Sequence, residues 1–223
     1  AESGYGRFSN VVSSMQFERI LSASGPYEGH LQRPSDSKTP VKIAWIQCIG
    51  SRNTVLGNDY CSSVCCMYAT KEAIIAKEHE SDVEATIFYT DMRAFGKGFE
   101  GFYNRARDVA GVRYIRSQIS SAKENPLNRN IILRYISDSS DVIEEEFDLV
   151  VLSTGLIAHH STKRIAEITG VETNRFGFML NDSFEESKSG IDGIYLSGAV
   201  SGPKDIPETV MQSSAAAALV GEL

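Results

Sequence analysis

Four cysteines, Cys48, Cys61, Cys65 and Cys66, are the residues of this chain whose type and spacing could carry chemistry. They follow one another as C-x12-C-x3-C-C, and they are all the cysteines that the 223 residues contain. Such clustering points to a metal and away from the dispersed pairing of a secreted disulfide scaffold. Four thiolates brought together across one strand–helix loop could hold a [4Fe-4S] cluster. A helix entered near Cys61 would set Cys61 and Cys65, four residues apart, on nearly one face. The positive end of that helix would favour the thiolates and the reduced cluster by up to about 1 kcal/mol.

Three other uses of the same thiols stay open. They could be buried free cysteines, since Cys is among the most buried residue types. They could form a structural zinc site, which suits four thiolates, although zinc motifs use two short knuckles and the adjacent pair Cys65–Cys66 is awkward for it. They could be a redox dithiol, although C-x-x-C is absent and a disulfide between neighbouring residues is strained. Spacing alone puts iron–sulfur first among these.

The elements around the cysteines read as a Rossmann-like α/β opening. Residues 41–47 (VKIAWIQ) form a near-continuous apolar run expected as a buried strand ending at Cys48. A helix is expected over 62–78, with Ser62 or Ser63 as its cap and Lys77 near its end. A strand over 84–90, a helix over 98–109 and a strand over 112–116 continue a parallel βαβ pattern. Stretches 117–122, 131–136 and 142–147, separated by turn-rich ENPLN and SDSSD, predict an antiparallel meander. Residues 149–153 (LVVLS) are a second buried strand, ending at Thr154-Gly155, and residues 163–223 are expected as a short helix, a loop, one more strand and a final helix. The Ser-, Gly- and Pro-rich residues 1–40, with a short amphipathic stretch at 11–21, are expected as a linker or covering segment. The domains so predicted are 1–40, a Rossmann-like domain over 41–153 that carries the cysteines, and 154–223.

A Rossmann nucleotide site needs glycines in its first loop so that backbone N–H groups reach the pyrophosphate. The loop here, CIGSRNTVLGNDYC, has no G-x-G-x-x-G, so the cysteines are expected to occupy the place where NAD would lie. Near the other end, GIYLSGAVSGPKDIPE runs from a strand-like stretch through glycines into the last helix, where Asp205 and Glu208 have the D-x-x-E spacing of a capping box and Pro207 is tolerated in the first turn. Such a helix start could face the negative charge of a reduced flavin, or it could be a plain capped helix.

Composition narrows the rest. At 42% hydrophobic residues the chain can bury a sizeable core, and a net charge of −7 argues against a nucleic-acid partner. No apolar run reaches the roughly 20 residues needed to span a bilayer. No signal-like segment opens the chain, and the sequence reads as cytoplasmic. His30, His79, His159 and His160 have no evident acid–base partner, and no Ser-His-Asp arrangement stands out.

Together, the segments IQCIGSR (46–52), YCSSVCCMYA (60–69), RAFGKGFE (93–100) and GPKDIPE (202–208) resemble the A subunits of heterodisulfide reductase and their relatives in electron-transfer complexes. The resemblance covers nearly the whole chain, with the motifs in the family's order. It implies a thioredoxin-reductase-like flavoprotein core whose nucleotide-like domain holds a [4Fe-4S] cluster on Cys48, Cys61, Cys65 and Cys66. It further implies that Ser197, Gly198, Ala199, Lys204, Asp205, Ile206, Pro207 and Glu208 lie against FAD. Thr154-Gly155 would mark the crossover between domains, and Lys71 would approach flavin N5. The 93–100 loop has no derived role beyond entry to a helix. The family's amino-terminal FAD fingerprint is missing, so the FAD domain is expected to be incomplete and to need a longer chain or a partner. The implied function is relay of electrons between FAD and the cluster, toward partner subunits and from electron donor proteins, with the terminal chemistry elsewhere and flavin bifurcation a family-level implication. A homodimer is compatible with it. The rival expectations are an NAD(P)H-dependent flavin disulfide reductase and a zinc-stapled interaction module.

Overall fold

The computed structural model describes residues 3–221. It divides into two compact units, Ala1–Ile49 with Cys65–Thr154, and Gly50–Val64 with Gly155–Leu223.

The first unit is built on a five-stranded parallel sheet of β1 (Val11–Ser13), β2 (Lys42–Ile49), β3 (Glu84–Tyr89), β4 (Arg113–Arg116) and β8 (Leu149–Thr154), ordered β1-β8-β2-β3-β4. β2 and β8 are its central strands, and their unbroken apolar runs fit a sheet covered on both faces. On one face, helices α1 (Ser14–Leu21), α2 (Cys65–His79) and α3 (Phe99–Asp108) bury a core around Phe17, Trp45, Ala69, Ala73 and Val151. On the other lies the antiparallel meander β5 (Ser121–Glu124), β6 (Ile131–Ile136) and β7 (Val142–Phe147), packed through Ile131, Leu133 and Phe147 onto Ala44, Phe88 and Val150.

Residues expected as a linker supply an edge strand and a helix of this unit. β1 pairs in register with β8, and Ser13 caps α1 in a reciprocal box with Gln16. Phe17, with no exposed surface, meets the Trp45 ring edge-on at 5.4 Å. A three-residue strand leaves no readable period in the sequence, which is why the segment looks irregular there.

The second unit holds α4 (His160–Thr169), a 3-10 turn at Gly198–Val200 and α5 (Ile206–Gly221), around a small core of Ala166, Val171, Met179 and Leu196. The strand expected to lead into the glycine turn before the last helix is reduced to isolated pairing, Lys188 with Tyr195, and to single bonds such as Leu196 N–H to Ser187 O at 2.9 Å. Segment 50–64 is tied in by the Tyr60 hydroxyl, which donates to Leu156 O at 2.8 Å, and by the Arg175–Asp59 ion pair at 2.8 Å. The units therefore differ from the expected division at residues 40 and 153. The loop between the first cysteine and the cysteine helix goes with the carboxyl-terminal residues. Among the described residues no helix is long and apolar enough to cross a membrane.

Candidate metal centre and flavin-facing turn

In an open parallel sheet, ligands gather beyond the carboxyl ends of the strands, where the chain order reverses. That point here is between β2, which leads through α2 to β3, and its other neighbour β8. Cys48, Cys65 and Cys66 stand there. Cys48 is the penultimate residue of β2, at a φ of 61°, where the β2–β8 register slips between Ile46 and Ile49. A bulge of this kind re-aims a side chain at the end of a strand.

Cys65 and Cys66 open α2 and are buried. The helix begins later than the sequence suggests. Ser63 has a φ of 61°, Val64 N–H turns back onto Ser62 O at 2.7 Å, and the Ser62 hydroxyl that would cap the helix instead accepts the Leu156 N–H at 2.9 Å. Two consequences follow. Cys61 lies outside the helix, so the expected helical face shared by Cys61 and Cys65 does not exist. Cys65 and Cys66 instead occupy the first turn, where backbone N–H groups have no intrahelical acceptor and the helix end is positive.

Cys48, Cys65 and Cys66 come together in the first unit. Hydrogen bonds that the Cys65 thiol donates to Cys48 and Cys66, then burial, push it far up. The bond with Cys65 draws Cys66 down, helped by the Arg93 backbone N–H, and the Cys66 thiol also reaches Asp91 O at 3.6 Å. The residues at 91 and 93 follow β3, and sequence reasoning gave that stretch no role because backbone groups leave no mark in side-chain identity. Cys61 belongs to the second unit, where its Sγ accepts the Ser63 N–H at 3.4 Å. None of the four is in a disulfide.

Among the described residues, no group of three His, Cys, Asp or Glu side chains is placed to hold a single metal ion. A four-iron cluster is gripped at separate irons, so its thiolates ring a volume and need not meet at a point. Three thiols around a strand end and a positive helix end, beside buried polar groups without partners, Gln47 and Ser153, suit such an anionic, sulfur-rich group.

Thr154 ends β8, and its carbonyl accepts the Tyr68 hydroxyl at 2.6 Å. Gly155 opens the second unit's long segment in a tight place, since a Cβ there would lie 2.5 Å from Ser62 Oγ and 2.8 Å from Ser51 Cβ. Lys71, on α2, forms an ion pair with Glu18 of α1. In the second unit, Ser197, Gly198 and Ala199 turn into the 3-10 segment. Gly198 sits at a φ of 70°, its N–H donates to the buried Gln212 Oε1 at 2.8 Å, and a Cβ there would come within 3.1 Å of the Thr209 methyl. Lys204 Nζ bonds Ser201 Oγ at 3.3 Å. The capping box forms as expected, with Asp205 N–H to Glu208 Oε2 at 2.9 Å and Glu208 N–H to Asp205 Oδ1 at 2.8 Å. With Pro207 lacking an N–H, the Ile206 N–H is the first-turn donor that the box leaves unengaged. Lys204 and Glu208 line a groove of about 640 Å³ with Glu186, Pro203, Met211 and Ala215. His159 caps α4 through Nδ1, accepting the Ser161 N–H at 3.3 Å, and so has a structural task.

The chain is 45% identical over 221 residues to the second iron-sulfur A subunit of CoB–CoM heterodisulfide reductase of Methanopyrus kandleri, an alignment covering 97% of this chain and 34% of that protein. It is 42% identical over 223 residues to the A subunit of H(2)/formate:CoB-CoM heterodisulfide,ferredoxin reductase of Methanococcus maripaludis, and 36% identical over 224 residues to the A subunit of Ferredoxin/F(420)H(2)-dependent CoB-CoM heterodisulfide reductase of Methanosarcina acetivorans. Those two alignments cover 98% and 100% of this chain, and 34% and 28% of the relatives, so the chain spans about a third of their length. No family model matches. Among solved structures, thioredoxin reductase of T. acidophilum superposes with a TM-score of 0.61 at 14% identity, covering 98% of this chain and 58% of that one. At that identity the likeness establishes a thioredoxin-reductase-like fold.

Proposed function

Because the chain is homologous over 97% of its length to one segment of the heterodisulfide reductase A-subunit family, we propose that it is the electron-relaying part of an oxidoreductase complex of that kind. In this reading Cys48, Cys61, Cys65 and Cys66 hold a [4Fe-4S] cluster. The second unit contributes part of an FAD site. A cluster would supply one-electron exchange, and FAD the conversion between two-electron and one-electron steps.

The observation that carries the reading is the gathering of Cys48, Cys65 and Cys66 at the carboxyl end of β2 and the first turn of α2. The chain's own residues have definite tasks there. The first turn of α2 points backbone N–H groups and its positive end at the thiolates. Burial of Cys65 and Cys66 keeps water from them. The backbone at Asp91 and Arg93 fixes Cys66. Cys61, carried by the 50–64 segment, would be the fourth thiolate of the proposed set.

On the flavin side, Ser197, Gly198, Ala199 and the 204–208 turn would hold FAD, with Thr154-Gly155 as the crossover and Lys71 as the residue proposed for N5. The Lys204 ammonium suits the negative charge that a reduced flavin carries. α5 supports a domain completed by further chain, because most of its apolar side chains are exposed, Ile206 at 80% and Met211 at 67%. The remaining subunits of the complex and electron donor proteins are the proposed partners, in the cytoplasm.

Metal analysis tests the reading. Protein purified without oxygen is expected to contain about four irons and as many acid-labile sulfides per chain, and each of Cys48→Ser, Cys61→Ser, Cys65→Ser and Cys66→Ser is expected to lower both. One zinc per chain with no sulfide would contradict it.

A further inference from the structure

Two polar side chains at the carboxyl edge of the first unit's sheet are buried without partners. Gln47 is 7% exposed, and neither its Nε2 nor its Oε1 is hydrogen-bonded. Ser153 has no exposed surface, and its Oγ is likewise unpartnered. Native proteins rarely leave such groups alone, and two side by side call for a polar ligand or a specific acceptor.

Their placement says which. Gln47 and Ser153 are on neighbouring strands, each one residue past the paired Ile46 and Leu152. Two residues earlier on each strand, Trp45 and Val151 belong to the core that α2 covers through Ala69 and Ala73. By strand alternation Gln47 and Ser153 fall on that same face. At this end of the face α2 begins with Cys65 and Cys66, and Gln47 is the chain neighbour of Cys48.

We propose that the Gln47 carboxamide N–H and the Ser153 hydroxyl donate hydrogen bonds to the sulfurs of the cluster held by the cysteines, and so set its reduction potential. The inference rests on the iron–sulfur reading above and adds to it two positioning residues that are not ligands. Reduction adds one electron and increases the negative charge on the sulfurs. Donors aimed at them strengthen as that charge grows and raise the potential. Both ends of the Gln47 amide lie at the same site, so a half-turn of the amide group still leaves its N–H₂ there.

The test is an EPR-monitored redox titration of the anaerobic protein, wild type against Gln47→Leu, Ser153→Ala and Gln47→Glu, with iron and sulfide quantified in every sample. The two donor deletions are expected to retain about four irons and to titrate at more negative potential, the reduced fraction at a fixed potential falling about fivefold for each net hydrogen bond lost. Gln47→Glu, which replaces the donor with an acceptor, is expected to fall further. Potentials equal to wild type at full iron content would overturn the proposal while leaving the iron–sulfur reading intact. Wild-type protein with zinc or without iron would overturn both. Ser153→Ala removes a single oxygen and decides the matter if Gln47→Leu does not fold. Loss of iron from both deletions would overturn the proposal too, by making the residues supports of the fold.

Discussion

At the residue scale, Glu72 shows how the core beside the cysteines treats charge. It is fully buried on α2, and one carboxyl oxygen accepts the Trp45 indole N–H at 2.8 Å. Burial, opposed by that bond and reinforced by Glu18, pushes its pKa up to about 9. The folded protein therefore keeps a proton that the unfolded chain releases near the ordinary value of 4.5. A group raised in this way contributes stability that is full below its unfolded value and is lost as pH rises toward its folded one. Urea unfolding is expected to show stability falling between about pH 5 and pH 9, and Glu72→Gln, neutral and of the same shape, is expected to flatten the slope. Equal slopes in the two proteins would refute the assignment. Phe17→Ala, which empties the space against Trp45, should cost about 3–5 kcal/mol in the same assay.

What the sequence disclosed at this scale depended on side-chain identity. The cysteines, the Asp205–Glu208 box and the glycines at 155 and 198 are visible as letters. The backbone contacts at Asp91 and Arg93 are not. Nor is the use of the Ser62 hydroxyl on Leu156, which is 94 residues away in sequence and moves the start of α2 to Cys65. That distant hydrogen bond is the physical reason the helix was expected three residues early.

At the element scale, long strands and helices were legible because burial on both faces writes an apolar run into β2 and β8 and a regular period into the meander. β1 was not, because its three residues gain their place from the β8 edge. Yet α1 carries its own signal in the Ser13–Gln16 box. Ser13→Ala should destabilise the first unit by about 1 kcal/mol, measurable as a lowered unfolding midpoint; an unchanged midpoint would mean that packing of Phe17, Ile20 and Leu21 alone defines the helix. Gly155→Ala, whose Cβ would press on Ser62 and Ser51, is expected to destabilise by on the order of 1–3 kcal/mol. Its partial rescue by Ser62→Gly would identify the clash as the cause.

At the scale of the whole molecule, the fold is thioredoxin-reductase-like, and the chain covers about a third of the length of its heterodisulfide reductase A-subunit relatives. A Rossmann-like sheet ordinarily opens on a glycine loop for a dinucleotide, and here the same topological position carries thiols. The placement of Cys48, Cys65 and Cys66 at the strand end and helix start was legible in the sequence. The assignment of 50–64 to the second unit was not, since contacts such as Tyr60 to Leu156 join residues about a hundred positions apart. The exposed apolar surface of α5 predicts that these 223 residues retain FAD poorly on gel filtration, while the chain joined to the remaining flavin-domain sequence retains it tightly; equal retention would locate the flavin site wholly within the present residues.

The central claim is that the cysteine site passes single electrons. EPR spectroscopy of protein purified and reduced without oxygen tests it most directly. A reversible signal from a reduced [4Fe-4S] cluster, integrating to about one spin per chain and lost in Cys65→Ser, is the predicted result. A protein that carries its metal yet remains EPR-silent and colourless through oxidation and reduction would contradict it.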